Sequence, residues 1–389
     1  MRLEDMRNFG LTENQKMIRQ TTRNFAEKEI RPKVDEYEKE GRYPLPEIKK
    51  MAELGLVGPL IPQEYGGAGL DYVSYGIICE ELARVDWVCA SVVSVQNSLV
   101  GSAINKFGTE EQKRKYLVPL GKGHYLSSAC LTEPGGGSDL ASIQTTVRKD
   151  DGGYLLNGSK IFISHAEFAN VFFVLASIDR SLRHKGICAF IVENPSPGIT
   201  VRALPMHTLK RDNIAEVTFE DVRVLDENLL GEEGGGFRVV GSALDTGRFS
   251  VAARCVGQAQ ACLDASLKYA NEREQFGQLI GRFQMVQQLL ADMIVSVETA
   301  RLLVYRLGQI KDAGVERASL MASMTKLYAS EVATKAALDA VQIHGGYGVA
   351  AEFPVGRYVL EAKTLEIGEG TSQIHRNLIA EYALGMRRT

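Results

Sequence analysis

Hydrophobic spacing divides the chain into three segments. From Thr12 to about Lys122, apolar residues recur at helical intervals. A helix opening at Leu11-Thr12-Glu13-Asn14 carries Met17, Ile18, Phe25 and Ile30; a second begins at Pro46, and Ser74–Arg84 repeats the pattern. Between the last two, the Gly/Pro-rich run Ile61-Pro62-Gln63-Glu64-Tyr65-Gly66-Gly67-Ala68-Gly69 predicts a loop. From about Tyr125 to Leu230 the period falls to two, with β-rich runs at 145–147, 154–156, 160–163, 171–176, 187–192 and 216–219. Asn157-Gly158 predicts a hairpin turn between two of these runs, and Asp150-Asp151-Gly152-Gly153 and Asn194–Gly198 predict others. Short, evenly spaced strands suggest a compact barrel or sandwich. From Gly236 onward the spacing is helical again, over 251–272, 283–313 and 318–344 and then from Gln373 to about Leu384. Helices that long favour a bundle whose outer faces pack on other subunits. The expectation is an α+β protein with a helical domain (1–124), a middle β domain (125–235) and a C-terminal helical bundle (236–389). A β segment set between helical ones excludes an alternating βαβ fold.

Composition narrows the class. A chain of 389 residues is too long for one ordinary core. With 45% hydrophobic and 24% charged residues it reads as soluble and globular. A net charge of −3 without a basic block argues against nucleic acid as a partner. Residues Met1–Thr22 are charged and lack an apolar core, and no uninterrupted apolar run approaches membrane-spanning length, so neither a secretory leader nor a membrane protein is expected. Six cysteines lie scattered in apolar stretches without a CxxC pair, suggesting buried thiols in a reducing compartment. The histidines form no HExxH pair, and no metal is expected.

Candidate chemistry lies in the glycine-flanked positions. Glu369 stands between Gly368 and Gly370, ahead of Thr371-Ser372-Gln373 and a helical pattern. A carboxylate between residues without side chains is open to a substrate carbon, and Thr371 or Ser372 can cap the helix behind it. By itself this Glu reads as a partner of the helix dipole. The run Cys130-Leu131-Thr132-Glu133-Pro134-Gly135-Gly136-Gly137-Ser138-Asp139 leaves backbone N–H groups uncovered for a planar or phosphorylated ligand, or is merely a surface turn. No GxGxxG follows a strand, and there is no Walker A loop or GxSxG elbow, which disfavours a nicotinamide enzyme, an ATPase and a serine hydrolase. Arg273–Gly277, Asp245–Arg248 and His344–Gly348 each have an ordinary structural explanation when taken alone.

In this order and spacing the segments resemble the acyl-CoA dehydrogenase family over essentially the whole chain. The resemblance rests on Ile61–Gly67, Thr132–Asp139, Asn157–Lys160, Asp245–Arg248, Arg273–Gly277, Gln342–Gly346 and Glu369–Gln373. It implies FAD held by the β domain and the C-terminal helices. Ala129, Cys130, Leu131, Thr132, Gly137 and Ser138 would contact the flavin, with Phe162, Ile163 and Ser164 beside its ring. Arg273, Gln275, Phe276, Phe283, Gln284, Gln342, Ile343, His344, Gly345, Gly346, Thr371, Ser372 and Gln373 would hold the pyrophosphate and adenosine, some of them reaching a neighbouring subunit of a homotetramer. Ser138, Asp245 and Arg248 would touch coenzyme A, and Gly368 and Gly370 would flank the acyl group.

The implied reaction is α,β-dehydrogenation of an acyl-CoA thioester, with Glu369 removing the α proton and flavin N5 taking the β hydride. Electrons would pass to an electron-transferring flavoprotein. A base working near neutral pH needs a raised pKa, which a desolvated pocket provides. Some relatives carry their base at the position matching Gly247, which cannot serve here. Gly368 stands where many straight-chain enzymes have Tyr, opening space for branched or cyclic acyl groups. Ala90 stands where glutaryl-specific relatives have Arg, which disfavours a dicarboxylic substrate, and Phe162 replaces a common Trp. The expected substrates are short, branched or cyclic acyl-CoA thioesters. An oxidase, a carrier-protein-thioester dehydrogenase and a non-enzymatic assembly factor are the alternatives. The expected location is bacterial cytoplasm, or the mitochondrial matrix after processing.

Overall fold

Thr12 opens the first helix with a capping box: its Oγ1 accepts from Gln15 N at 3.2 Å, and Gln15 Oε1 accepts from Thr12 N at 3.1 Å. The computed structural model describes residues 6–315 and 318–386, so the ends of the first and last expected domains (1–5 and 387–389) lie outside the described residues. The α-helices of seven or more residues are α1 (Glu13–Phe25), α2 (Val34–Glu40), α3 (Leu45–Glu53), α4 (Tyr72–Ala83), α5 (Trp87–Ser94), α6 (Gly236–Glu272), α7 (Gln284–Asp312), α8 (Ser319–His344), α9 (Val355–Ile367) and α10 (Ser372–Ala383). The strands are β1 (Ser127–Cys130), β2 (Thr146–Asp150), β3 (Gly153–Ile163), β4 (Val171–Ser177), β5 (Ile187–Glu193), β6 (Ile199–Ala203), β7 (Ala215–Leu225), β8 (Glu274–Gln275) and β9 (Gln278–Leu279). Asp71 caps α4 by accepting from Ser74 N at 2.7 Å, and Thr371 caps α10 by accepting from Ile374 N at 3.3 Å. Two compact units result. The first comprises Met1–Val34, Asp71–Ala90 and Arg248–Thr389; the second comprises Asp35–Leu70 and Ser91–Gly247.

In the second unit β1 to β7 form one curled sheet in the order β1-β4-β2-β3-β7-β6, with β5 on β4. Every residue of β4 is buried. Val171, Phe173 and Leu175 enter one apolar cluster, while Phe172, Val174 and Ala176 enter another on the opposite face. A strand covered on both sides reads as a continuous apolar run, not an alternating one.

The expected turn at Asn157-Gly158 is a correction. These residues lie inside the continuous strand β3, at a register shift against β7. Gly158 takes φ +149°, and a Cβ there would lie 2.5 Å from Thr145 Oγ1, so the glycine serves a close approach within a bulge. The actual β2–β3 connection is Asp151-Gly152, with Gly152 at φ +70°.

Membrane-spanning length also needs correcting. Residues Trp87–Phe107 form one apolar helical stretch of 21 residues, long enough to cross a membrane but mostly buried. Two of its polar side chains are held inside the second unit: Asn97 Nδ2 donates to Val57 O and Val93 O, both at 2.8 Å, and Gln96 Nε2 donates to Leu120 O at 2.8 Å. Side chains pinned in this way belong to a protein core.

Among the described residues the first unit is helical apart from loops and the small β8–β9 hairpin, and a buried ion cluster ties four of its helices. Arg301 Nε (α7) donates to Glu80 Oε1 (α4) at 2.9 Å, and Arg301 Nη2 donates to Gln260 Oε1 (α6) at 2.9 Å. Tyr305 OH donates to Glu80 Oε2 at 3.0 Å, and Arg23 (α1) grips Glu81 at 3.0 and 2.8 Å. Helix α6 can approach α4 because residue 257 is glycine: a Cβ there would lie 2.2 Å from Glu80 O.

Candidate active site

Between α9 and α10 the first unit carries the Glu369 turn. Glu369 adopts φ +55° and Gly370 φ +109°. A left-handed conformation is uncommon for a residue with a side chain and persists where its surroundings over-determine it. Two groups do so here. Lys326, on α8 and fully buried, donates through Nζ to Glu366 O at 2.8 Å and to Gly370 O at 2.7 Å. His375, buried at the start of α10, leaves no room beyond Gly370, where a Cβ would come 3.0 Å from its Nε2.

The carboxylate on this turn lies in a desolvated setting flanked by cations. Glu369 Oε2 is shut off from water and finds no hydrogen-bond partner among the described residues. Burial pushes its pKa up to about 7, against the opposing pull of Arg254, Lys326 and Arg248. A buried acceptor without a partner is the mark of a place that a ligand completes. Arg254 is buried on α6 with its guanidinium carbon 4.3 Å from the centre of the Trp87 ring. The His375 imidazole is pushed down to about 3 by burial and by the cations Lys326 and Arg248, so it stays neutral.

In the second unit β1 runs into the glycine loop. Glu133 and Gly136 exchange backbone hydrogen bonds at 3.0 and 3.1 Å, and Ile161 N donates to Thr132 O at 2.9 Å. Beneath the loop, buried Lys160 on β3 donates to Glu133 Oε1 at 2.8 Å and to Leu131 O at 3.2 Å. Burial works against the Glu133 carboxylate, but Lys160 and donors from Thr145 and Gln144 more than offset it and hold its pKa below the usual range. Thr132 is half-buried, and Gly137 and Ser138 are exposed. A Cβ added at Gly135 would meet nothing within 4 Å. The register shift between Lys160 and Ile163 turns Phe162 outward at φ +59°, 61% exposed. Ala129 and Ser164 are half-buried, whereas the Cys130, Leu131 and Ile163 side chains face the core and can offer a ligand only backbone. Replacing Lys160 by Met should leave the buried Glu133 carboxylate to its backbone donors alone and cost about 1–3 kcal/mol of loop stability. The flavin-to-protein absorbance ratio of the purified variant should fall accordingly.

The remaining expected contacts fall in the first unit, Asp245 excepted. Arg273 lines an open cavity of about 400 Å³ with Tyr269, Tyr347, Glu352 and Phe353. Gln275 is exposed on β8, and Phe276 sits in the β8–β9 turn at φ +51°, 94% exposed and edge-on to half-buried Phe283 at 6.1 Å. Gln284, Gln342 and Gln373 are exposed. Gly345 and Gly346 are exposed too, with nothing within 4 Å of an added Cβ. Ile343 and His344 are buried, the His344 ring stacked on Tyr269 at 4.2 Å. Ser372 is buried behind the Thr371 cap, and Gly368 is exposed. Asp245 is buried and Arg248 half-buried one turn apart on α6. Uncovered backbone, an exposed aromatic and exposed amide and guanidinium groups form a donor set that fits a flavin dinucleotide.

Three residues around Glu369 escaped sequence reasoning: Lys326, Arg254 and His375. Lys326 had a visible signal, since it occupies the register of the buried alanines 322, 329, 333 and 336 on α8. A lysine on an apolar stripe is unusual enough to single out.

Helical, curled-sheet and helical segments in this order, with an open glycine loop and a desolvated carboxylate, define a flavoprotein dehydrogenase. The chain belongs to the acyl-CoA dehydrogenase family and is an FAD-dependent enzyme that dehydrogenates acyl-CoA thioesters. Residues 12–124, 128–222 and 234–384 match the N-terminal, middle and C-terminal domains of acyl-CoA dehydrogenase. The short-chain specific acyl-CoA dehydrogenase, mitochondrial, of Bos taurus is 42% identical over 97% of this chain and 92% of its own length. The butyryl-CoA dehydrogenase structure from Megasphaera elsdenii superposes with a TM-score of 0.93 at 39% identity, covering 97% and 99% of the two chains. A chain from a structure of the electron-transferring flavoprotein of Acidaminococcus fermentans, described as bearing on flavin-based electron bifurcation, superposes with a TM-score of 0.94 at 43% identity, covering 97% and 99%.

Proposed function

We propose that Glu369 is the catalytic base and that the acyl groups taken are short, branched or cyclic. The observation that carries this reading is the desolvated Glu369 carboxylate on its strained turn, with a pKa raised to about 7. A carboxylate with that pKa is about half ionised at neutral pH and still basic, the condition under which general-base catalysis is most effective. Glu369 takes the α proton onto its carboxylate, and its own backbone N–H is offered to the developing enolate oxygen. FAD, when bound, supplies the hydride acceptor. The loop 129–138 and Phe162–Ser164 would hold the flavin, and Arg273–Gln284, Gln342–Gly346 and Thr371–Gln373 the pyrophosphate and adenosine. Ser138, Asp245 and Arg248 would meet coenzyme A. Gly368 and Gly370 keep side chains away from the reacting carbon.

Similarity to short-chain and butyryl-CoA enzymes supports the short substrates, and the side-chain-free Gly368 supports branched or cyclic ones. An electron-transferring flavoprotein is the proposed acceptor, and a homotetramer the proposed assembly. Exposed apolar side chains on α7 and α8, including Met285, Val295, Leu302 and Leu338, suit burial against other copies. The test is anaerobic flavin bleaching with a panel of acyl-CoA thioesters across pH. Butyryl-, isobutyryl- and cyclic acyl-CoA should bleach, and the rate should fall about tenfold per unit below a limb near pH 7. Bleaching by long straight chains alone would sink the substrate assignment, and rapid peroxide release in air would favour an oxidase.

A further inference from the structure

The Glu369 turn is held from behind by a charge that the dehydrogenation chemistry does not require. We propose that Lys326 is the positioning residue of the base, its buried ammonium acting as a clasp across the turn; this rests on Glu369 being that base. Its two acceptors lie on either side of Glu369: Glu366 O, at 2.8 Å, belongs to the last turn of α9, and Gly370 O, at 2.7 Å, immediately precedes the Thr371 cap of α10. Helix-terminal carbonyls lack intrahelical partners and carry partial negative charge, so one cation satisfies the end of α9 and fixes the start of α10 together. With both ends tied, the intervening residues have little freedom to leave the left-handed conformation that Glu369 adopts at φ +55°.

The same ammonium sets the field around the carboxylate. The ionisable groups whose charges act on one another at the turn are Arg248, Arg254 and Cys255 on α6, Lys326 on α8, Glu366 on α9, Glu369 on the turn and His375 on α10. Burial pushes Lys326 down to about 8, while Cys255, Glu369 and Glu366 pull it up. Its charge favours the ionised base, against the burial that disfavours it. Glu369 Oε2 has no hydrogen-bond partner among the described residues. Lys326 therefore acts through backbone and field, and leaves the carboxylate free to take the substrate proton.

The test compares K326M, K326Q and K326R holoenzymes with wild type in three measurements: turnover, the acidic limb of the pH–rate profile, and amide hydrogen exchange of the peptide 366–373. K326M should lose on the order of 10–100-fold in turnover, since small displacements of a reacting group cost that much. Its limb should move to higher pH because a cation that favoured the carboxylate is gone, and exchange in 366–373 should quicken. K326R should restore the limb. If K326M does not fold, K326Q, which keeps a donor without the charge, carries the same limb test. Wild-type turnover and limb in the neutral variants would overturn the proposal. So would a turnover loss with the limb unmoved, which would leave Lys326 an ordinary helix cap. Failure of the base assignment is separable: an active Glu369→Gln enzyme removes the base, whereas the exchange of 366–373 reports the clasp regardless.

Discussion

Glu369→Gln should retain FAD and lose turnover by about 10²–10⁴-fold, the contribution typical of a general base. The substitution preserves shape and the turn itself, because the Lys326 clasp grips main-chain carbonyls and not the side chain. What it removes is the proposed proton acceptor: a neutral amide has no useful basicity. It also deprives Lys326, Arg254 and Arg248 of the negative charge they share, so the surrounding cations repel one another more. Steady-state assays with butyryl-CoA and the flavin content of the variant provide the check. Turnover near wild type would transfer the role of base to another residue.

Glu80→Ala should destabilise the first unit by about 3–5 kcal/mol, the usual cost of removing one partner from a buried ion pair. Arg301 is 2% exposed and takes its α4 contact from Glu80, while Tyr305 donates to the other carboxylate oxygen. Removing the carboxylate takes the shared acceptor from both donors and leaves Glu298 as the carboxylate paired with buried Arg301. Burial works against the Glu80 carboxylate, but Arg301 and Arg19 overcome it and hold its pKa well below the ordinary range. A folded pKa below the unfolded one means that Glu80 contributes stability above the ordinary carboxylate range, and that this is lost as pH falls through the folded value. Urea denaturation of wild type and variant at neutral and acidic pH measures both effects: the gap should be widest near neutrality and narrow in acid. A gap independent of pH would show that Glu80 is not held as a carboxylate.

Much of this architecture could be read from spacing because it obeys local rules. Thr12 and Thr371 are side-chain caps, and the long helices α6 to α8 announce themselves by period. Asn157-Gly158 misled because the dipeptide that favours a tight turn also suits a bulge, and Thr145, distant in sequence, decides which is formed. Strands β1 and β6 passed unseen: β1 is four residues of Ser, Ala and Cys, and β6 is mostly exposed. Glu369 was legible from its flanking glycines, but its raised pKa comes from burial by long-range packing, and Arg248, Arg254 and Lys326, brought to it by two other helices, limit that rise. Likewise Asp71–Ala90 packs into the unit of the C-terminal helices while the residues on either side of it do not. No local period encodes that partition, because it is a property of long-range contacts.

The central claim, that the Glu369 carboxylate is the base of an acyl-CoA dehydrogenase, is tested most directly in a single turnover. Purified yellow wild-type and Glu369→Gln proteins are mixed anaerobically with butyryl-CoA and their flavin absorbance followed. Rapid bleaching of the wild type beside a variant that binds the thioester yet stays yellow is the predicted result. A variant that bleaches at the wild-type rate would contradict the account.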